Sequence, residues 1–172
     1  MLVTLFKVLL LVSIIVLFGC ASMDQGAGSS ATFSYDEAAL AKAKAWTAKD
    51  FQNNPENFQF AIIGDRTGGA NAQGAFVLAM GQLNLLQPEF VINVGDIIEN
   101  FSNDKEELNG EWNEVDAMLN KLNMPFVRTP GNHDIANDVA QQVWLERHGA
   151  TYYLFVYKNV LFIVLDSEDP PR

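Results

Sequence analysis

Three places in the chain set a glycine directly before side chains that bind cations: Gly64-Asp65, Gly95-Asp96 and Gly131-Asn132-His133. Each follows a short run, FQFAII, EFVINV and PFVRT, the last through Pro130, that reads as a strand. The three lie about one βαβ unit apart, on the order of 30 residues or more. Taken singly, an Asp or Asn after a strand is a turn former or a helix N-cap. Taken together they are two carboxylates, an amide oxygen and an imidazole, the mixed oxygen and nitrogen donor set suited to Mn²⁺, Fe or Zn²⁺. The chain holds only two histidines, so one placed beside such a turn calls for explanation. Composition points the same way. With 21 acidic residues against 11 basic ones and a formal charge of −10, the protein repels anions at long range. A phosphate substrate therefore needs bound cations to neutralise it locally. The same imbalance excludes a nucleic-acid backbone as the main partner, because that binding is dominated by Lys and Arg.

The elements that must position these residues are legible as alternating strands and helices. A chain of 172 residues with 49% hydrophobic composition builds one domain with a real core. Residues 35–50 are Ala- and Lys-rich with Asp36 and Glu37 at their start, which predicts a covering helix, with a linker to residue 57. The domain proper runs over 58–172. A helix is predicted over 72–87, stopped by Pro88, and another over 107–123 with Trp112, Val115, Met118, Leu119 and Leu122 at core spacing. A third is predicted over 139–148, where His148 sits beside the last carbonyls. TYYLFVYKNVLFIVLD reads as a hairpin turning at Lys158-Asn159. Such alternation predicts an α/β layered fold with largely parallel strands, and in such sheets sites form outside the carboxyl ends of the strands.

Residues 1–19, with Lys7 and an apolar stretch from Val8 to Phe18, read as a secretory signal. Leu17-Phe18-Gly19-Cys20 resembles the lipobox of bacterial lipoproteins, which implies a lipidated Cys20, a membrane anchor and a place in the bacterial cell envelope. Ser22 stands where an inner-membrane retention signal carries Asp, which favours the outer membrane. Residues 20–34 are small and polar, as a flexible tether is. Cys20 is the only cysteine, so no thiolate is left for a metal.

GDRTGG, GDIIEN and GNHD, in this order and at these intervals, resemble the first three motifs of the calcineurin-like metallophosphoesterases. The resemblance implies a layered β-sandwich flanked by helices, two divalent metal ions (Mn, Fe or Zn), and hydrolysis of phosphomonoesters or phosphodiesters by a metal-bridged hydroxide. It implies that Asp65 binds the first metal, Asp96 bridges both and Asn132 binds the second. His133 would sit beside the phosphate as proton donor, with Asp134 orienting its imidazole or capping the next helix. Arg66, Asn132 and His133 would contact substrate. The chain departs from the family at Thr67, where a metal-binding histidine is usual, and in ending before the family's later histidines, which include a Gly-His-x-His motif. The expectation is a domain incomplete at its C-terminal end. The alternative is a remnant acting as a non-catalytic binding or structural lipoprotein. An esterase of the SGNH type needs a serine where Arg66 stands.

Overall fold

In a computed structural model of the protein, the described residues are 33–36, 42–51 and 57–168. Two short sheets form within them. Strands β2 (Ala61–Ile63), β3 (Val91–Asn93) and β4 (Phe126–Val127) pair in parallel in the order β2-β3-β4. Strands β1 (Phe33–Tyr35), β5 (Tyr153–Tyr157) and β6 (Val160–Val164) pair antiparallel in the order β1-β5-β6. The β5–β6 turn falls on Lys158 and Asn159, both with φ in the left-handed region, the conformation that matches the twist of a two-residue hairpin.

Helices fill the crossovers of the parallel sheet, as they must when parallel strands are joined. Between β2 and β3 lies α1 (Ala75–Leu86), preceded by a 3₁₀ segment over Gly68–Gly74 and ended at Gln87 before Pro88. Between β3 and β4 lies α2 (Lys105–Leu119), whose first-turn donors are met by the Asp104 carboxylate, which accepts from the N–H of Glu106 and Glu107. After β4 comes α3 (Asp138–His148), capped by the Asn137 side chain on the N–H of Ala140.

Alternation along the parallel strands sends neighbouring side chains to opposite faces. Val91 and Phe126 join the helix-side cluster with Leu108, Trp112, Val115, Leu119 and Trp144. Phe90, Ile92 and Val127 face the other way and meet Phe155 and Tyr157 of the antiparallel sheet. Trp112 and Trp144 are fully buried and pack edge to face at 5.6 Å, while Phe90 touches Phe155, Tyr157 and Phe162 at 5.2–5.9 Å. At roughly 1.5–3 kcal/mol for each large side chain buried, these two clusters outweigh any single polar contact in holding the layers together.

The covering helix predicted over 35–50 is not found in the part of it that is described. Tyr35 ends β1, and residues 42–51 contain no helix. Trp46 instead bridges Val127 antiparallel, and the backbone N–H of Arg128 donates to the Ala45 carbonyl at 2.7 Å. Trp46 stacks edge-on with Phe33 and Tyr35. Burial of these aromatics against the sheets outweighs the helix propensity of the Ala and Lys residues around them. Phe33 and Ser34, expected at the end of the tether, belong to β1. The rest of the tether, the signal segment and Cys20 lie outside the described residues.

Candidate functional site

Strands β2, β3 and β4 run in the same direction, so their carboxyl ends deliver GDRTGG, GDIIEN and GNHD to one edge of the sheet. Backbone and side-chain hydrogen bonds then tie the three loops together. The N–H of Val94 donates to the Ile63 carbonyl at 3.0 Å, and the N–H of Arg66 donates to the Asp96 carbonyl at 2.9 Å. The Asn93 side chain accepts from the N–H of Thr129 at 2.9 Å and donates to the Thr129 carbonyl at 3.3 Å, fixing the second loop to the third. Two glycines allow the close approach. A Cβ on Gly95, whose φ is +100°, would meet the Gly131 backbone at 2.6 Å, and one on Gly131 would collide with the Asp96 carboxylate.

Asp96 lies at the centre. Its own φ is +57°, a left-handed conformation that Asp tolerates better than most side chains and that is often found where function demands it. One carboxylate oxygen, Oδ1, accepts from the N–H of His133 at 2.9 Å, which leaves Oδ2 for another partner. Asp65 and Asn132 are exposed, and neither side chain makes a hydrogen bond to the described residues. These three residues thus present oxygen acceptors that none of the described residues consumes.

His133 is held by its ring. Nδ1 lies 2.8 Å from the Glu99 carbonyl, and because a carbonyl only accepts, Nδ1 carries the proton and Nε2 is left for an outside partner. That carbonyl raises the affinity of the ring for a second proton, and the carboxylates of Asp96, Glu99 and Asp134 add to the effect. The Asn100 side chain donates to the His133 carbonyl at 2.6 Å.

Asp134 does not orient the imidazole. It is completely buried, and its two oxygens accept four backbone N–H groups, from Asp96, Ile97, Ile98 and Gly131, at 2.8–3.2 Å. Burial pushes its carboxyl up to about 6, while those four donors pull the other way. Its place is that of a clasp between the second and third loops, and the helix cap falls to Asn137 instead. Arg66 is pinned as well: Nη1 donates to the Ile97 carbonyl at 2.9 Å, so the guanidinium reaches a backbone oxygen of the second loop instead of an acid.

Two supporting residues escaped the sequence reading. Glu111 on α2 accepts from the N–H of Glu99 and of Asn100, and Asn93 joins two loops. Glu111 is one of several acids on an acidic helix, and nothing in the spacing distinguishes it. Asn93 left a usable trace, since an amide in the last position of an otherwise apolar strand demands a partner. Glu99 accepts from the N–H of Gly68 at 2.7 Å and so anchors the glycine pair of the first loop.

Among the described residues no group of three or more His, Cys, Asp or Glu side chains gathers to hold a metal ion. The donor set at the sheet edge is instead two carboxylates and an amide, Asp65, Asp96 and Asn132, and its chemistry fits a hard divalent cation. Thr67 is buried and supplies no nitrogen ligand. No family model, curated protein or solved structure matches the chain.

Proposed function

We propose that the strand-end loops form the metal-binding edge of a phosphoesterase, in a metallophosphoesterase-like layered β-sandwich, acting on phosphomonoesters or phosphodiesters. The observation that supports this most is the combination at one edge of unconsumed acceptors on Asp65, Asp96 and Asn132 with a histidine whose free nitrogen is defined by its other hydrogen bond. Asp65 and Asn132 would each hold one divalent ion (Mn, Fe or Zn) and Asp96 would be shared between the two. When bound, such ions supply charge neutralisation for the phosphoryl oxygens and an activated water.

The protein's own residues do the remaining work. His133, with Nδ1–H fixed on the Glu99 carbonyl, turns Nε2 outward, and the raised proton affinity of its ring suits it to donate a proton to the leaving oxygen. Asp134 holds the Asp96 backbone in its left-handed conformation by accepting the Asp96 N–H, and so sets the direction of the Asp96 carboxylate. Arg66 is a substrate contact only through the edge of its guanidinium not spent on Ile97. In the same reading Cys20 carries lipid and holds the domain at the bacterial envelope, so that phosphate esters in that compartment are its substrates.

The test is hydrolysis of bis(4-nitrophenyl) phosphate by the full chain with Mn²⁺. Asp96→Asn keeps an oxygen for the His133 N–H but loses the charge, and is expected to remove activity while leaving the fold intact. Equal rates for wild type and Asp96→Asn would overturn the assignment.

A further inference from the structure

A second polar site lies away from the strand-end acceptors, in a cavity of about 340 Å³ whose lining includes Lys44, Trp46, Asp116, Arg128, Arg147 and His148. Three of those side chains are cations and one is an anion, in a chain whose net charge is −10. Of these charged side chains only Arg128 is buried, and the others are partly exposed around it. Arg128 is 5% exposed, yet its charge is met by a single carboxylate, Asp116, at 2.7 Å from Nη2. The other oxygen of Asp116 takes Nη2 of Arg147, also at 2.7 Å, so two guanidiniums share one counter-charge. Arg147 spends its remaining contacts on the neutral amides of Asn109 and Asn113.

The donor count is incomplete in the same place. Nε of Arg128, Nε of Arg147 and Nε2 of His148 are sealed in the protein without a partner. Nη1 of Arg128 likewise donates to none of the described residues, and Arg128 lines the cavity. A buried guanidinium with an unspent face is a costly arrangement unless an acceptor meets it. Burial first, and then the charges of both arginines, keep the His148 ring neutral, so it adds no further positive charge.

We infer that this cavity is a binding site for a small oxyanion, a carboxylate or phosphate group held by Arg128 and Arg147. Nη1 of Arg128 and the second N–H on Nη1 of Arg147 remain as donors for the oxygens of such a group, and a single negative charge offsets the half of the arginine pair that Asp116 leaves unmet. A volume of about 340 Å³ admits a small metabolite and is at the lower end for ligand pockets. The inference does not rest on phosphoesterase activity, since none of Asp65, Asp96, Asn132 and His133 lines the cavity.

The chain's three tryptophans report on the site: Trp46 lines it, and Trp112 and Trp144 pack on the His148 ring at 4.4 and 4.9 Å. The experiment is a fluorescence titration of the full chain with inorganic phosphate and, separately, with acetate, on protein stripped of metal by a chelating resin and on the Asp96→Asn background so that the strand-end loops hold no cation. At least one of the two anions is expected to give a saturable change. Arg147→Gln is expected to weaken that binding by about tenfold, the loss of one charge-assisted contact. Asp116→Asn is expected to tighten it severalfold, because it removes the one counter-charge that the two arginines share. Saturation by phosphate alone assigns a phosphate-bearing ligand, and saturation by acetate a carboxylate. Absence of saturation by either anion in the folded Asp96→Asn protein overturns the site, as does binding that is unchanged in both Arg147→Gln and Asp116→Asn. If either cavity variant fails to fold, the other decides, and the anion-dependent rise of the melting temperature in the Asp96→Asn protein decides if both fail.

Discussion

Lowering the pH should destabilise this protein through one residue, His148, and by an amount that the structure allows to be worked out. The ring is 3% exposed, packed between Trp112 and Trp144, with Nε2 unpartnered. Burial first, and then the charges of Arg128 and Arg147, push its pKa down to about 2. In the unfolded chain the ring titrates near 6.5. A folded-state value below the unfolded one means that the native protein resists protonation. The stability is therefore fully present above pH 6.5 and is lost as pH falls from 6.5 towards 2. Each unit below 6.5 costs about 1.4 kcal/mol, so at pH 5 the loss from this residue is roughly 2 kcal/mol. His133 acts in the opposite sense, because its pKa is raised: its contribution is present at low pH and is lost as pH rises through its folded value. The comparison that isolates His148 is therefore wild type against His148→Gln, with His133 in both. Urea unfolding at pH 7.5 and at pH 5, in buffers free of phosphate and carboxylate, should show wild type losing about 2 kcal/mol more than the variant. Equal losses in the two proteins would refute the reasoning, and would mean that the ring is hydrated or charged in the native state.

Further outcomes follow from the strand-end loops. Asp134→Asn sets an amide NH₂ against two of the four N–H groups that the carboxylate accepts, and should cost on the order of 2–4 kcal/mol in urea unfolding at pH 7.5. Gly131→Ala drives a methyl group into the Asp96 carboxylate and backbone, and should weaken Mn²⁺ binding at least tenfold in calorimetry while costing on the order of 1–3 kcal/mol in stability. Glu111→Gln keeps an acceptor for the N–H groups of Glu99 and Asn100 and should be nearly neutral in thermal melting, whereas Glu111→Ala leaves both unmet and should cost about 1–3 kcal/mol.

Much of the framework was legible in the sequence where hydrophobic period and turn chemistry agree. The helices α1, α2 and α3 fall within a few residues of their predicted spans, and the hairpin turns at Lys158-Asn159 as read, because Pro88, Asp104, Asn137 and the left-handed turn residues act locally. The gathering of three Gly-Asp or Gly-Asn turns at one sheet edge also followed from the parallel order of their strands. What failed was the segment before Phe58. Its Ala and Lys content speaks for a helix, and only the tertiary partners of Trp46, namely Phe33, Tyr35 and Val127, overrule it. The role of Asp134 was equally hidden, since a carboxylate after a histidine looks the same in sequence whether it meets the ring or four backbone N–H groups. His148 was placed correctly at the end of its helix but read as a charge beside carbonyls. The structure buries it between two indoles, and burial, then the charges of Arg128 and Arg147, keep it neutral.

The central claim is that Asp65, Asp96 and Asn132 hold two divalent cations at the edge of the parallel sheet. It is tested most directly by isothermal titration of the metal-free full chain with Mn²⁺, beside Asp96→Asn and Asn132→Ala. Saturable binding by wild type at micromolar concentration is expected, with a loss of at least tenfold in affinity in each variant and unchanged unfolding of Asp96→Asn in EDTA. Absence of Mn²⁺ uptake by folded wild type, or uptake that both variants retain in full, would contradict it.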